Sequence, residues 1–84
     1  MKLGEIKMKI TKDNAMKLWN EKHGKETKVR DSKGREILKA AYGQKGSEYG
    51  WDIDHIVPKG KGGTGKKDNL QIVHIETNQE KGDK

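Results

Sequence analysis

The chain has 84 residues, of which 29% are hydrophobic and 38% are charged, and it contains no phenylalanine and no cysteine. A chain this short buries only a modest share of its surface, so we expect one domain with a thin core, and a bound metal or partner could matter for its stability. The lack of cysteine excludes a disulfide framework and a cysteine-based zinc site. We find no signal peptide and no membrane span, so the expected location is cytoplasmic.

The net charge of +6 is concentrated in the first part of the chain. Residues 1–50 contain 13 Lys or Arg and 7 Asp or Glu, whereas residues 51–84 contain 6 of each kind. This distribution predicts a basic region that grips a polyanion, joined to a neutral region that carries a chemical site. Charge alone supports equally well the interpretation that the lysines only keep a small domain soluble.

The beginning of the chain predicts an extended segment followed by a helix. Apolar residues alternate with lysines over residues 6–10, which is typical of a strand or of an extended arm with one apolar face. Beyond Thr11, a good N-cap, apolar residues recur at helical spacing up to Trp19, and Gly24 is well placed to end a helix. We therefore expect a helix over Lys12–His23.

A hairpin and an irregular segment are expected next. Asp31 favours the start of a turn and Gly34 accepts a positive φ angle, so the short runs on either side should pair as strands. Residues 39–50 include three glycines and two tyrosines and should form a loop. Trp19 and Trp51 are the natural core anchors, because the chain has few other large apolar residues.

The second part of the chain predicts two strands and a short helix. Apolar and polar residues alternate over residues 49–54, as in a half-buried strand. Pro58 cannot continue a hydrogen-bonded ladder, and the run of glycines and lysines after it must form a loop. Alternation resumes over residues 70–74 as a second strand. The tail from Thr77 to Lys81 suits a short helix that Gly82 would end.

Five polar side chains lie at the ends of these predicted elements. Asp54 and His55 close the first strand, Asn69 ends the glycine-rich loop, and Asn78 and Lys81 lie on the helix. This order, with the Gly-Gly of the loop, resembles the ββα-metal motif of the HNH endonucleases in the variant that has asparagine in third place. Each residue alone has an ordinary structural interpretation. Those interpretations do not predict one another, so the joint occurrence supports the resemblance.

For the fold, the resemblance implies an α+β domain. A small ββα-metal, or His-Me finger, nuclease unit would be preceded by an N-terminal helix and a β-hairpin. The chain would be a single HNH nuclease domain over residues 1–84, with the basic helix and hairpin region at 1–48 and the motif at 49–83. Many relatives carry two cysteine pairs for structural zinc around this motif. This chain, without cysteine, must do without that zinc.

For function, the resemblance implies a DNA endonuclease that hydrolyses phosphodiester bonds with one divalent ion. His55, Asn69 and Lys81 would be the catalytic residues. His55 would take the proton from the attacking water, Asn69 would hold its imidazole, and Lys81 would contact the phosphate. Asp54 and Asn78 would bind the ion. The products would have 5′-phosphate and 3′-hydroxyl ends, and one site would nick one strand at a time.

The expected ligands favour a hard divalent ion. The amide oxygen of Asn78 is a harder ligand than an imidazole, so a site made with Asp54 favours Mg²⁺ or Mn²⁺, with Zn²⁺ or Ni²⁺ as the alternatives. Gly82 also stands where members that hold a transition metal place an additional histidine. No small-molecule cofactor is expected.

Five basic side chains are candidates for contacting nucleic acid. Arg30 and Arg35 flank the hairpin turn, with an exposed charged face as the equally good alternative. Lys59 and Lys61 lie in the glycine-rich loop, which is either a flexible connector or a nest for phosphate. His74, near the end of the second strand, could be a phosphate donor or an extra ligand, but a structural histidine is the favoured interpretation.

DNA is the expected partner, and no membrane partner is expected. A homodimer, which would permit a double-strand cut, and a larger phage or host assembly both stay open. Two other functions compete with the nuclease. One is a non-catalytic nucleic-acid-binding module of the same fold, and the other is a toxin-like nuclease that an acidic partner protein neutralises.

Overall fold

The computed structural model describes residues 9–82, so most of the expected N-terminal arm lies outside the described residues. The fold is α+β, as predicted. Neither of the helices in this part of the chain is long and apolar enough to cross a membrane. The helices and strands are, in chain order, α1 (Lys12–His23), β1 (Lys28–Arg30), β2 (Glu36–Leu38), β3 (Trp51–His55), β4 (Leu70–His74) and α2 (Ile75–Lys81).

Helix α1 begins and ends where the sequence predicts. The hydroxyl oxygen of Thr11 accepts a hydrogen bond from the amide of Asn14 at 3.2 Å, which satisfies one of the free donors at the helix start. Gly24 ends the helix with a φ of +59°, a conformation that other residues rarely adopt. One face of the helix is buried and consists of Ala15, Leu18 and Trp19.

The hairpin predicted around residues 31–34 is confirmed. Strands β1 and β2 pair in antiparallel fashion, with Val29 opposite Ile37. In the turn, Gly34 has a φ of +82° and its amide donates to the carbonyl oxygen of Asp31 at 2.9 Å. Ile37 is fully buried and attaches the hairpin to the core of the domain.

Strands β3 and β4 form a second antiparallel pair, and α2 follows β4 directly. The register places Asp54 opposite Gln71 and His55 opposite Leu70. Helix α2 starts at Ile75, two residues earlier than the sequence predicts, because the side chain of His74 caps it. Histidine is not among the residues preferred at this position, so sequence rules do not point to it.

The core is built around two tryptophans, as predicted. Trp19 and Trp51 are fully buried, and their ring centroids lie 5.0 Å apart. Each indole nitrogen donates to a backbone carbonyl, so neither ring buries an unsatisfied donor. Ile37 and Leu70 pack in the same cluster. Helix α1, the hairpin and the β3–β4–α2 unit therefore share one core.

Gly50 lies where the backbone approaches two neighbouring segments closely. A Cβ atom there would lie 2.2 Å from the carbonyl oxygen of Gln44 and 3.0 Å from Cδ1 of Ile75. We expect Gly50→Ala to lower the free energy of unfolding by about 1–3 kcal/mol, because the backbone must move to accommodate the methyl group. Urea unfolding measures this change.

Gly46→Ala is the matched control, because a Cβ atom there meets nothing within 4 Å. This variant should change the free energy of unfolding by less than about 0.5 kcal/mol, as is usual for a surface substitution. Equal effects of the two substitutions would contradict the steric argument at Gly50.

Candidate active site

The end of strand β3 presents two polar side chains to opposite sides of the strand. Successive strand residues alternate in direction, so Asp54 and His55 point apart. The carboxylate of Asp54 is mostly buried, with 13% of its side chain exposed. Its Oδ2 atom accepts hydrogen bonds from Nε2 of Gln71 at 2.9 Å and from Nζ of Lys81 at 2.7 Å. Sequence analysis missed Gln71, although its place opposite Asp54 in a predicted strand pair is a usable signal.

The ammonium group of Lys81 lies among three oxygen atoms. Besides Asp54, it donates to the backbone carbonyl of His55 and to that of Ile56, the latter at 3.0 Å. The Lys81 side chain reaches this position because one face of α2 packs against the end of β3. The ammonium of Lys81 thus places a positive charge beside Asp54 without any bound ion.

Asn78 lies one helical turn before Lys81, on the same side of α2. It is half-buried, and its side chain makes no hydrogen bond to any residue from 9 to 82. Its amide oxygen is therefore available to a ligand.

These donors fit a hard divalent ion. They consist of the carboxylate of Asp54 and two backbone carbonyls that converge on Lys81, and the amide of Asn78 on the same helix would add a fourth oxygen. The three oxygen atoms already surround one cation, the ammonium of Lys81. In the described part of the chain there is no cluster of three or more His, Cys, Asp or Glu side chains that could hold a metal. An ion at this site would complete its shell with water.

His55 has a partly exposed side chain. Within the described residues, no side chain or backbone group hydrogen-bonds its imidazole ring. Both ring nitrogens are therefore accessible to a water molecule or a phosphate. Histidine changes its charge near neutral pH, which suits it to proton transfer.

The amide of Asn69 is used differently from what the resemblance implies. Its Oδ1 atom accepts from the amide of Val57 at 2.9 Å, and its Nδ2 atom donates to the carbonyls of Val57 and Thr64 at 3.1 and 2.7 Å. These backbone groups have no strand partner beyond the end of β3, and the side-chain amide supplies one. Asn69 thus holds the loop that follows His55, and within the described residues no hydrogen bond joins its amide to the imidazole.

The glycine-rich loop is folded back on itself. The amide of Gly63 donates to the carbonyl of Pro58 at 2.9 Å, and a Cβ atom at Gly63 would lie 1.7 Å from the carbonyl oxygen of Val57. Only glycine permits this approach. The second glycine of the Gly-Gly pair therefore closes the loop just after His55 and Ile56.

The sequence family can now be assigned. The family model described as HNH endonuclease matches residues 42–84, which is half of the chain and includes all of the site described so far. The chain belongs to the HNH endonuclease family. Strands β3 and β4 with helix α2 form its ββα-metal unit. Comparisons with curated proteins and with solved structures gave no match.

Of the two hairpin arginines, Arg35 is committed to contacts within the protein. Its guanidinium forms a two-pronged ion pair with Glu80, at 2.6 and 3.0 Å, and it contacts Glu76 at 3.3 Å and the hydroxyl of Thr77 at 2.9 Å. The hydrogen bond to Glu80 raises the pKa of Arg35, and it lowers the pKa of Glu80 in turn. These contacts attach the hairpin to the helix of the HNH unit.

Three other expected DNA contacts remain exposed. The side chain of Arg30 is 68% exposed, and its contact with Glu36 is long, at 3.5 Å. Lys59 and Lys61 are exposed in the loop between β3 and β4. Both loop lysines therefore lie near His55 in the chain and are accessible to a polyanion.

His74 has the geometry of a structural histidine. It is 6% exposed, and both ring nitrogens are used inside the protein. Its Nδ1 atom accepts from the amide of Glu76 at 2.9 Å, which requires the proton to be on Nε2, where it is donated to the carbonyl of Glu48 at 2.6 Å. These bonds leave the ring no free nitrogen for a phosphate.

Asp31 has a role beyond the turn in which the sequence places it. Its Oδ1 atom accepts from the amides of Lys33 and Arg35, both at 2.9 Å, as is usual for an aspartate at a turn. Its Oδ2 atom accepts from the amide of His74 at 2.9 Å and from the hydroxyl of Thr77 at 2.5 Å. No local pattern could reveal the last two contacts, because they join residues more than 40 positions apart.

These hydrogen bonds control the charge of Asp31. Burial opposes the charged form, but the bonds from Thr77 and from the amides of His74, Arg35 and Lys33 outweigh burial and lower the pKa of Asp31. The lowered pKa belongs to the folded state. The stability that it contributes is therefore present above about pH 4, the ordinary range of aspartate, and is lost as the pH falls through the folded-state pKa.

Asn69→Ala should loosen the loop after His55. The change removes three hydrogen bonds and leaves the amide of Val57 without its partner. Because a typical hydrogen bond contributes about 0.5–1.5 kcal/mol, amide hydrogen exchange at Val57 should become roughly two- to tenfold faster. Exchange measured by NMR tests this expectation.

Asn20→Ala provides the control, since Asn20 accepts from Nζ of Lys39 on another part of the surface. That variant should leave exchange at Val57 unchanged. Unchanged protection of Val57 in Asn69→Ala would mean that the side chain of Asn69 does not hold the loop.

Proposed function

We propose that this chain is a metal-dependent DNA endonuclease that hydrolyses phosphodiester bonds with one divalent ion and a histidine general base. The proposal rests on the arrangement at the end of β3, in a member of the HNH family. There the imidazole of His55, which no described residue hydrogen-bonds, directly follows Asp54 in the chain, and the carboxylate of Asp54 with two backbone carbonyls already binds a cation, the ammonium of Lys81.

In this mechanism His55 acts as the general base. A water molecule bound to its ring loses a proton to the imidazole as the oxygen attacks phosphorus. The bond from phosphorus to the 3′ oxygen breaks, and that oxygen takes a proton from solvent. The products are a 5′-phosphate and a 3′-hydroxyl. A bound divalent ion supplies charge stabilisation at the phosphate and at the leaving oxygen.

The other site residues would bind the ion or position the groups around it. Asp54 and Asn78 would bind the ion through their oxygens, and Gln71 would orient the carboxylate of Asp54. Asn69 is a positioning residue, because it fixes the loop that follows His55. Lys81 is within reach of the same site and would contact the phosphate once it leaves Asp54.

The proposed ion is Mg²⁺ or Mn²⁺. The donors available at Asp54 and Asn78 are all oxygens, and such sites suit ions that keep several water ligands. Zn²⁺ or Ni²⁺ prefers imidazole or thiolate, and His74, at the other end of the strand pair, has both ring nitrogens in use.

DNA is the proposed substrate, with Arg30, Lys59 and Lys61 as its proposed phosphate contacts. All three side chains are exposed, whereas Arg35 and His74 are occupied within the protein. A single site acts on one strand at a time, so nicking is the proposed minimal activity. A cut through both strands would require two engagements or a dimer.

One observation favours a second candidate, a non-catalytic module that binds nucleic acid. Lys81 neutralises Asp54 without a metal, so the fold does not need an ion at this position. A module of this kind would bind DNA in a salt-dependent way that survives the loss of His55.

A nicking assay on supercoiled plasmid distinguishes the two functions. With Mg²⁺ or Mn²⁺ we expect conversion to open-circle DNA, and none in EDTA. His55→Ala should lower the rate about 10²–10⁴-fold, the usual contribution of a general base. Cleavage by His55→Ala at the original rate would remove His55 from the base role.

His23→Ala is the matched histidine control, because His23 lies at the end of α1 with its ring against Trp19 and away from the site. It should retain cleavage. DNA binding by the unaltered protein without cleavage under either metal would favour the binding module.

A further inference from the structure

Helix α2 cannot hold its own position. It has only seven residues, and it begins immediately after β4 without a connecting loop. Isolated helices of this length are unstable in water, so contacts with the rest of the protein must fix its orientation. The orientation matters for the site, because α2 carries Asn78 and Lys81.

The hairpin turn supplies these contacts through one carboxylate. The carboxylate of Asp31 accepts a hydrogen bond from the amide of His74, the residue that caps α2. It accepts another from the hydroxyl of Thr77, in the first turn of α2. The same hydroxyl oxygen accepts from Arg35 at 2.9 Å, so hairpin and helix are joined by a continuous chain of hydrogen bonds. Charged partners make such bonds shorter and stronger than neutral ones.

The hydrogen bonds of Asp31 and Arg35 to α2, together called the clamp, engage one side of the helix, and Lys81 projects from the neighbouring side. Thr77 and Glu80, three positions apart, face the hairpin and bind Asp31 and Arg35. Asn78 and Lys81 follow each of these by one residue, which turns them by about 100° around the helix axis. Lys81 then reaches the end of β3. A helix rotated or raised at its start would change the positions of Asn78 and Lys81 relative to Asp54.

We propose that Asp31 is a positioning residue of the active site, which fixes α2 against the end of β3 and so sets how this helix presents Asn78 and Lys81 to Asp54. This inference rests on the proposed metal-dependent function. Asp31 belongs to the hairpin and lies outside residues 42–84, the part that matches the HNH family. The hairpin would therefore contribute to the function of this nuclease.

The chemistry of the contacts explains why a carboxylate is needed. Every group that faces Asp31 donates a hydrogen: two turn amides to Oδ1, and the amide of His74 and the hydroxyl of Thr77 to Oδ2. In asparagine, an NH₂ group replaces one of the two carboxylate oxygens. This NH₂ group would face hydrogen-bond donors and could not accept from them. Asp31→Asn therefore disrupts the clamp while keeping the volume of the side chain.

The test compares Mn²⁺ affinity, measured by electron paramagnetic resonance or calorimetry, in the unaltered chain and in Asp31→Asn. We expect Asp31→Asn to bind Mn²⁺ about 10–100-fold more weakly, the usual effect of losing a residue that orients metal ligands. Thr11→Ala is the matched control, because it removes the N-cap of α1 instead of the clamp on α2. It should keep the original Mn²⁺ affinity at a temperature where all variants are folded.

Two results would overturn the inference. One is an unchanged Mn²⁺ affinity in Asp31→Asn, and the other is an equal weakening in Thr11→Ala, which would indicate a general loss of stability. If Asp31→Asn does not fold, Thr77→Val replaces it, since valine keeps the shape of threonine and lacks the hydroxyl that binds Asp31.

Absence of Mn²⁺ binding by the unaltered chain would count against the proposed function instead. The clamp is then judged by amide exchange in α2, which Asp31→Asn must accelerate and Thr11→Ala must not. Equal exchange in the two variants would overturn the positioning role.

A separate observation concerns Lys81. Its ammonium lies where oxygens of Asp54, His55 and Ile56 converge, the same oxygens that a divalent ion would use. Two cations this close repel each other. We infer that Lys81 competes with the divalent ion for Asp54 and must move away when the ion binds.

Lys81→Met tests this competition, because loss of a metal ligand would weaken Mn²⁺ binding, whereas loss of a competing cation should strengthen it. We expect it to bind Mn²⁺ at least about fivefold more tightly, the lower end of usual coupling between two ligands, although cleavage becomes slower. Lys67→Met is the control, because Lys67 pairs with Glu21 at 2.7 Å and has no contact with Asp54. It should bind Mn²⁺ as the unaltered chain does.

Unchanged or weaker Mn²⁺ binding in Lys81→Met, with binding intact in the unaltered chain, would overturn the competition and leave the proposed function standing. If neither protein binds Mn²⁺, both the competition and the metal-dependent function fail.

Discussion

The carboxylate of Asp31 is the interaction on which the arrangement of the two parts of this protein depends. It satisfies two amides of its own turn and at the same time holds the first turn of α2 through His74 and Thr77. Arg35 reinforces the connection from the other side of the turn. The hairpin, which carries much of the charge outside the HNH unit, is thereby tied to the helix that presents Asn78.

Polar contacts of this kind compensate for a thin core. The core has two tryptophans at its centre and only a few aliphatic residues around them, and no cysteine is available to bind the structural zinc that many HNH proteins carry. Hydrogen bonds from charged groups are stronger than neutral ones, but they act only where their geometry is met. The fold therefore relies on a few well-placed residues. Loss of the Asp31 carboxylate alone should change the orientation of α2 and of the site residues that it carries.

The sequence was sufficient for the elements with local signals. Thr11 and Gly24 mark the two ends of α1, because capping is a local preference. The alternation around Trp51 and Leu70 predicts both long strands. Contacts between distant residues could not be predicted in this way. The clamp by Asp31 and the capping of α2 by His74 depend on which segments meet in space, and no periodicity or motif encodes that.

The resemblance to HNH proteins indicated candidate site residues but not all of their contacts. It pointed to Asp54 and His55, yet it assigned Asn69 to the imidazole, whereas the amide of Asn69 holds the backbone of Val57 and Thr64. A motif records which residues recur and where in the chain they lie. It does not record which of several nearby groups each one binds, because that depends on the path of the loop between them.

The ammonium of Lys81 separates folding from metal binding in this protein. In a structural zinc site, the ligands repel or stay unsatisfied without the ion, so metal affinity becomes folding energy. Here Asp54 is neutralised by Lys81 and oriented by Gln71, and its mostly buried charge is paired before any ion arrives. The charge of Asp54 is therefore paired within the protein, and an ion that bound there would compete with Lys81 for the carboxylate.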